Sequence, residues 1–159
     1  MIRTNNEYTQ TVEQVADFRA RAAARVTELK DMGLTDEQVT KVTEPEMAFY
    51  EQLDEEVKAY DRLRRQDESE LNKYDKLQDL GKLLIALRIY GGMSQSQLAQ
   101  RLGVDPSQVS RDEKNEYFGI TLSRAQKVLE ALGANPVSIH YEPMAVTPPS
   151  KKQEEIEYA

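Results

Sequence analysis

The stretch Met93-Ser94-Gln95-Ser96-Gln97-Leu98-Ala99-Gln100-Arg101-Leu102-Gly103-Val104-Asp105-Pro106-Ser107-Gln108-Val109-Ser110-Arg111 constrains this chain more than any other part of it. Ser94, with Gln97 three residues on, forms a capping box that opens a helix by satisfying backbone N–H groups reciprocally. Leu98 and Leu102 then share one helix face, and Ala99 is small enough for a following helix to cross closely above it. Gly103 takes the left-handed conformation that a tight corner needs, because without a Cβ that conformation costs little. Val104 is the buried residue of the turn. Asp105 caps a second helix, and Pro106 suits its first turn, where a missing N–H removes no bond. Val109 points back toward Leu98. The second helix therefore faces outward with Ser107, Gln108, Arg111 and, near its end, Lys114.

These side chains suit the edges of bases. Glutamine pairs bidentately with adenine and arginine with guanine when a helix enters the major groove by its N-terminal end. Gln95, at the start of the preceding helix, is expected on a phosphate, beside backbone N–H groups and the positive end of a helix dipole. Asn115, Tyr117 and Arg124 are expected to extend the phosphate contacts. The partner so defined is double-stranded DNA.

The pattern Ser-Gln-x-x-Leu-Ala-x-x-Leu-Gly-Val from Ser94 to Val104, with Val-Ser-Arg-x-Glu from Val109 to Glu113, resembles the Cro/C1-type (XRE family) helix-turn-helix. The resemblance covers about a third of the chain. It implies an all-α fold, a five-helix lambda-repressor-like DNA-binding domain, and a transcriptional regulator, here a repressor acting as a homodimer. Tyr117-Phe118-Gly119-Ile120-Thr121-Leu122 with Ala131-Leu132-Gly133 is similar to a subgroup whose last helix is followed by a short strand. That subgroup carries an N-terminal helical extension ending in a Tyr-rich acidic helix, and Tyr50 to Arg65 is similar in character. Some members resemble HigA-type antitoxins, which repress their own operon and bind a RelE-like toxin, while others are plain repressors. Both readings stay open, the antitoxin docking a basic toxin on its N-terminal helices. The chain departs from the family at Asp112, where an apolar or aromatic residue is common. Asp112, Glu113 and Glu116 also bring negative charge toward the DNA face, which implies modest operator affinity or reliance on dimer avidity, and Glu113 itself is read as holding the following loop rather than contacting DNA.

Net charge is -7, unusual for a DNA binder, so its distribution matters. Residues 1–76 hold 12 basic and 18 acidic side chains, a net of -6, whereas residues 77–143 hold seven of each. The acidity lies outside the DNA-binding segment, and a neutral domain can still bind phosphate if its basic groups share a face. There is no cysteine and a single histidine, which excludes disulfides, Cys-based zinc sites and His-rich metal sites. His140 reads as an exposed strand residue. The carboxylate-rich helix from Glu44 to Asp61 lacks the convergent partners of an acid/base or metal site. No cofactor and no enzymatic activity are expected. No apolar run is long enough to span a membrane, and Met1 to Gln10 is polar rather than signal-like, so a cytoplasmic location is expected.

The chain divides into four parts on this reading. Residues 1–10 form a disordered N-terminus. Residues 11–70 form a helical extension for dimerisation or partner binding. There Val15, Phe18, Ala22, Val26 and Leu29 recur at helical spacing up to Gly33. Thr35 and Gln38 open a short helix or turn through Val42, and Pro45 begins the next helix, whose seam of Tyr50, Leu53, Val57 and Tyr60 suits packing against another helix and is expected to serve the homodimer. Its other face, including Glu51, Asp54, Glu55, Glu56 and Asp61, is read as solvated. Residues 71–143 form the DNA-binding domain. In it Val137, Ile139 and Tyr141 alternate as a short C-terminal strand, and because a lone edge leaves its hydrogen-bonding groups unpaired, pairing with a second copy is expected. Residues 144–159 are a flexible tail.

Overall fold

The computed structural model describes residues 1–134, all of whose regular structure is helical. Two long helices come first, α1 (Asn5–Asp31) and α2 (Asp36–Arg64). A short α3 (Glu68–Leu71) and a 3-10 turn (Leu77–Asp79) lead into α4 (Leu80–Tyr90), α5 (Gln95–Leu102), α6 (Pro106–Lys114) and α7 (Leu122–Leu132).

α1 and α2 form an antiparallel hairpin about 40 Å long at 1.5 Å per residue. Tyr8 stacks on Tyr60 with centroids 5.2 Å apart, and Phe18 stacks on Tyr50 at 6.0 Å, so positions early in α1 meet positions late in α2. Val15, Leu29, Val39 and Tyr50 are buried between the helices. The Tyr8 hydroxyl donates to Asp61 Oδ2 at 3.2 Å, and Arg19 donates to the Tyr50 hydroxyl.

Three expectations about this half are corrected. Residues 1–10 are not a frayed end: Thr4 caps α1 by accepting from the Glu7 N–H, helix begins at Asn5, and Ile2 is buried in the same apolar cluster as α4 to α7. The polar composition that suggested disorder lies on the outer face of α1, and one isoleucine suffices to anchor the segment. The helix that opens at Thr35 does not stop near Val42. Its capping box is present, yet it runs on through Pro45 to Arg64. Proline there removes one intrahelical bond, a cost of about 3 kcal/mol in an isolated helix. Burial of Val39, Thr43 and Tyr50 on either side against α1 offsets it. Finally, the seam of Tyr50, Leu53, Val57 and Tyr60 is consumed inside the chain: the two tyrosines are buried, the other two half-buried.

The principal core joins both halves. Leu84, Ile85, Ala86 and Ile89 of α4, Leu98 and Ala99 of α5, Val109 of α6, and Ala125 and Val128 of α7 pack with Ile2, Tyr60 and Leu63. After residue 71 there are four α-helices and a 3-10 turn among the described residues, rather than five helices. The last turns of α2 and the N-terminal segment contribute core in their place. The tip of the hairpin carries its own buried residues, apart from this cluster. The expected strand Val137–Tyr141, His140 and the tail 144–159 lie outside the described residues.

Candidate nucleic-acid interface

The Ser94 hydroxyl accepts from the Gln97 N–H at 3.1 Å, and the Gln97 side chain accepts from the Ser94 N–H at 2.8 Å, completing the box that starts α5. Gly103 ends α5 at φ 66 and ψ 33, the left-handed conformation the corner requires. Its neighbour Val104 donates to the Ala99 carbonyl at 3.0 Å and is half-buried. Asp105 caps α6 by accepting from the Ser107 N–H at 2.8 Å, with Pro106 in the first turn. Leu98, Ala99 and Val109 are buried together. α5 and α6 thus cross in the geometry of a helix-turn-helix, with α6 as the second helix.

α6 turns Val109 and Glu113 inward and leaves Ser107, Arg111 and Lys114 exposed, with Gln108 half-buried. Asn115 is exposed at the helix C-cap. The Arg111 guanidinium folds back on the Ser107 carbonyl at 3.2 Å, an exposed contact that yields readily to a better acceptor. The geometry therefore brings five of the expected residues, Ser107, Gln108, Arg111, Lys114 and Asn115, to one helix and its end.

The other three are placed differently. Tyr117 is buried, so it is a core residue and not a phosphate contact. Burial, followed by the nearby Glu113 and Asp112 carboxylates, pushes its hydroxyl pKa up. Gln95 is half-buried and its amide donates to Glu113 Oε2 at 2.9 Å, so part of its hydrogen-bonding capacity is spent inside the domain. Arg124 is half-buried and pairs with Asp112 at 3.5 Å across α6 and α7. That pair explains how a charged residue takes the place of the usual apolar one.

The residue missed from sequence is Arg88. Buried on α4, it donates from Nε to Glu113 Oε1 at 2.5 Å and from Nη2 to Oε2 at 2.7 Å. It also donates to the Met93 carbonyl at 2.7 Å and the Arg3 carbonyl at 2.8 Å. The one arginine in the otherwise apolar run Leu83 to Ile89, with a glutamate on the core face of α6, was the available signal. Glu113 therefore presents no negative charge to DNA, and of the three acidic residues expected there only Glu116 is exposed. Beside the start of α5 a cleft of about 540 Å³ is lined by Arg3, Asn5, Arg64 and Ser94 among others, which places part of the hairpin base next to this face.

Fold and site together define a DNA-binding regulator of the helix-turn-helix class. Residues 84–139 match the family described as Helix-turn-helix, and this segment is a Cro/C1-type (XRE family) helix-turn-helix. Comparison with curated proteins and with solved structures returned no match. No helix among the described residues is long and apolar enough to cross a membrane.

Proposed function

We propose that this chain is a sequence-specific transcriptional repressor that binds double-stranded DNA as a homodimer, in the cytoplasm and without enzymatic activity. The observation that carries the reading is the outward row Ser107, Gln108, Arg111, Lys114 on α6, held in register by the buried Val109 and Glu113 on its opposite face. Gln108 and Arg111 read base edges, while Ser107, Lys114 and Asn115 fix the helix on the backbone. Two copies read half-sites about 34 Å apart, one DNA turn. Operator selection from random duplexes followed by gel shifts tests this. Arg111→Ala or Gln108→Ala each costs about 1–3 kcal/mol at the selected site and relaxes specificity there. Lys114→Ala weakens all sequences alike. An Arg111→Ala protein that binds as tightly as the unaltered chain overturns the assignment of α6.

A second reading, an antitoxin whose hairpin neutralises a basic toxin while the helix-turn-helix represses the operon, is favoured by the hairpin's charge. Residues 5–64 hold eight basic and 14 acidic side chains, and Phe49 and Val42 are exposed on α2. Complementary charge would speed encounter with a basic protein. Aromatic side chains would anchor such a partner, and of those on the two helices Tyr50 and Tyr60 are buried and Phe18 is half-buried, while Phe49 is exposed. Co-purification with a small basic protein encoded next to this one distinguishes the readings.

A further inference from the structure

We infer that two copies of this chain meet through the apolar patch at the C-terminal end of α6, centred on Phe118 with Leu77 and Leu122. The inference rests on the reading of the protein as a dimeric DNA-binding regulator and names the surface that joins the copies. Phe118 is 95% exposed, Leu122 72% and Leu77 66%, three large apolar side chains around one groove of about 370 Å³. The half-buried Leu80 and Ile120 line its floor.

Phe118 is held out rigidly. Its neighbour Tyr117 is buried in the core, and the Tyr117 N–H donates to the Asp112 carbonyl at 2.8 Å. The Phe118 N–H donates to Asn115 and that of Ile120 to Tyr117, both at 2.9 Å. Glu116 and Tyr117 adopt φ of 50 and 52, a conformation that costs a residue with a side chain roughly 1–3 kcal/mol. An aromatic side chain presented on a backbone already fixed loses little freedom on binding, which makes it a suitable anchor.

Three observations select a second copy as the occupant. Residues 77–143 hold seven basic and seven acidic side chains, so two such domains approach without net repulsion, whereas two hairpins, each with six excess acids, repel. The seam Tyr50 to Tyr60 is already covered by α1, and the exposed apolar side chains left on α2, Val42, Met47 and Phe49, belong to that acidic hairpin. The groove also begins at Asn115, the residue that ends α6. A two-fold axis through Phe118 therefore sets two copies of α6 on either side of it, C-terminal ends inward, as a palindromic operator requires. Three such side chains bury on the order of 400 Å² per copy, about half of a standard interface. The free dimer is accordingly weak and is reinforced when both half-sites are occupied.

The test compares the full chain with Phe118→Asp and Leu122→Asp by sedimentation over a wide concentration range, and with Phe118→Cys by mild oxidation, since the chain has no other cysteine. Each Asp variant weakens self-association by about tenfold or more while keeping the thermal midpoint and half-site binding. Oxidised Phe118→Cys forms a covalent dimer faster than Met32→Cys at the hairpin tip. If both Asp variants keep the dimer, the surface is wrong and the homodimer reading stands. The same holds if the dimer is lost only when residues 135–159 are removed. An unaltered chain that stays monomeric both free and on a palindromic site overturns the homodimer reading itself.

Discussion

Arg88 and Glu113 form a two-bonded ion pair at 2.5 and 2.7 Å, buried between α4 and the DNA-reading helix α6. Two further carbonyls bring the arginine to four of its five possible hydrogen bonds, and the Gln95 amide supplies the glutamate with a third donor. A buried pair is costly to desolvate and repays that cost only when its geometry and remaining hydrogen bonds are satisfied, as here. It fixes how α6 is rolled about its axis, and so which side chains face DNA.

Glu113→Ala leaves the guanidinium without its counter-charge in a dry site and lowers stability by about 3–5 kcal/mol. The double replacement Arg88→Met with Glu113→Leu recovers part of that loss, although the Met93 and Arg3 carbonyls then lose their donor. Urea unfolding of the single and double variants measures both. A Glu113→Ala loss below the range for a surface pair, about 1 kcal/mol, would show that the pair does not hold α6.

The DNA-binding half depends on the hairpin base. Leu63→Ala, at a fully buried site among α4 residues, costs about 2–5 kcal/mol, and Ile2→Ala falls in the same class. A chain beginning at Leu71 loses Ile2, Tyr60 and Leu63 together and does not fold to a stable domain. Circular dichroism melting of that truncation is the check, and a cooperative transition near that of the full chain would contradict the shared core.

Gly81 of α4 lies against the loop that follows α6. A Cβ there would come within 1.8 Å of the Glu116 carbonyl oxygen and 2.7 Å of its carbon, both backbone atoms that cannot swing aside. Gly81→Ala gains about 1 kcal/mol of helix propensity but forces the two segments apart, so it destabilises by about 1–3 kcal/mol or more. Chemical denaturation decides the sign, and a stabilised variant would mean that the loop gives way freely.

Asp105 links stability to pH. The Ser107 hydroxyl and backbone N–H hold its carboxyl below the usual aspartate range, and the same pattern at Ser69 lowers Asp67 at the start of α3. Because the folded pKa is the lower one, the cap contributes fully above the unfolded value of about 3.9 and is lost as pH falls through the folded value. Asp105→Asn, which keeps an acceptor but cannot titrate, makes the acid limb of the stability curve shallower. Unfolding midpoints measured from about pH 6 down to about pH 3 test this. An unchanged slope would remove Asp105 from the acid response.

What the sequence determined by itself is the part governed by short-range chemistry. Ser94 with Gln97, Gly103, and Asp105 with Pro106 each act within four residues, so caps and corner are legible without tertiary information. The all-helical character, the register of Val15 to Leu29 and the outward row on α6 follow from periodicity in the same way. Tertiary packing decided the rest. Pro45 lies inside a helix because α1 covers the residues on both sides of it, a long-range fact that overrides a local signal. Ile2 anchors a polar N-terminal segment because it is buried in the cluster that the end of α2 shares with α4 to α7. Tyr117, Gln95 and Arg124 have side chains able to bind phosphate, but the fold turns the tyrosine into the core and gives the other two partners of their own. Arg88 and Glu113 stand 25 residues apart and meet only when α4 and α6 pack. Residue type sets what a side chain is able to bind, and only the packed chain settles which groups remain free to do so.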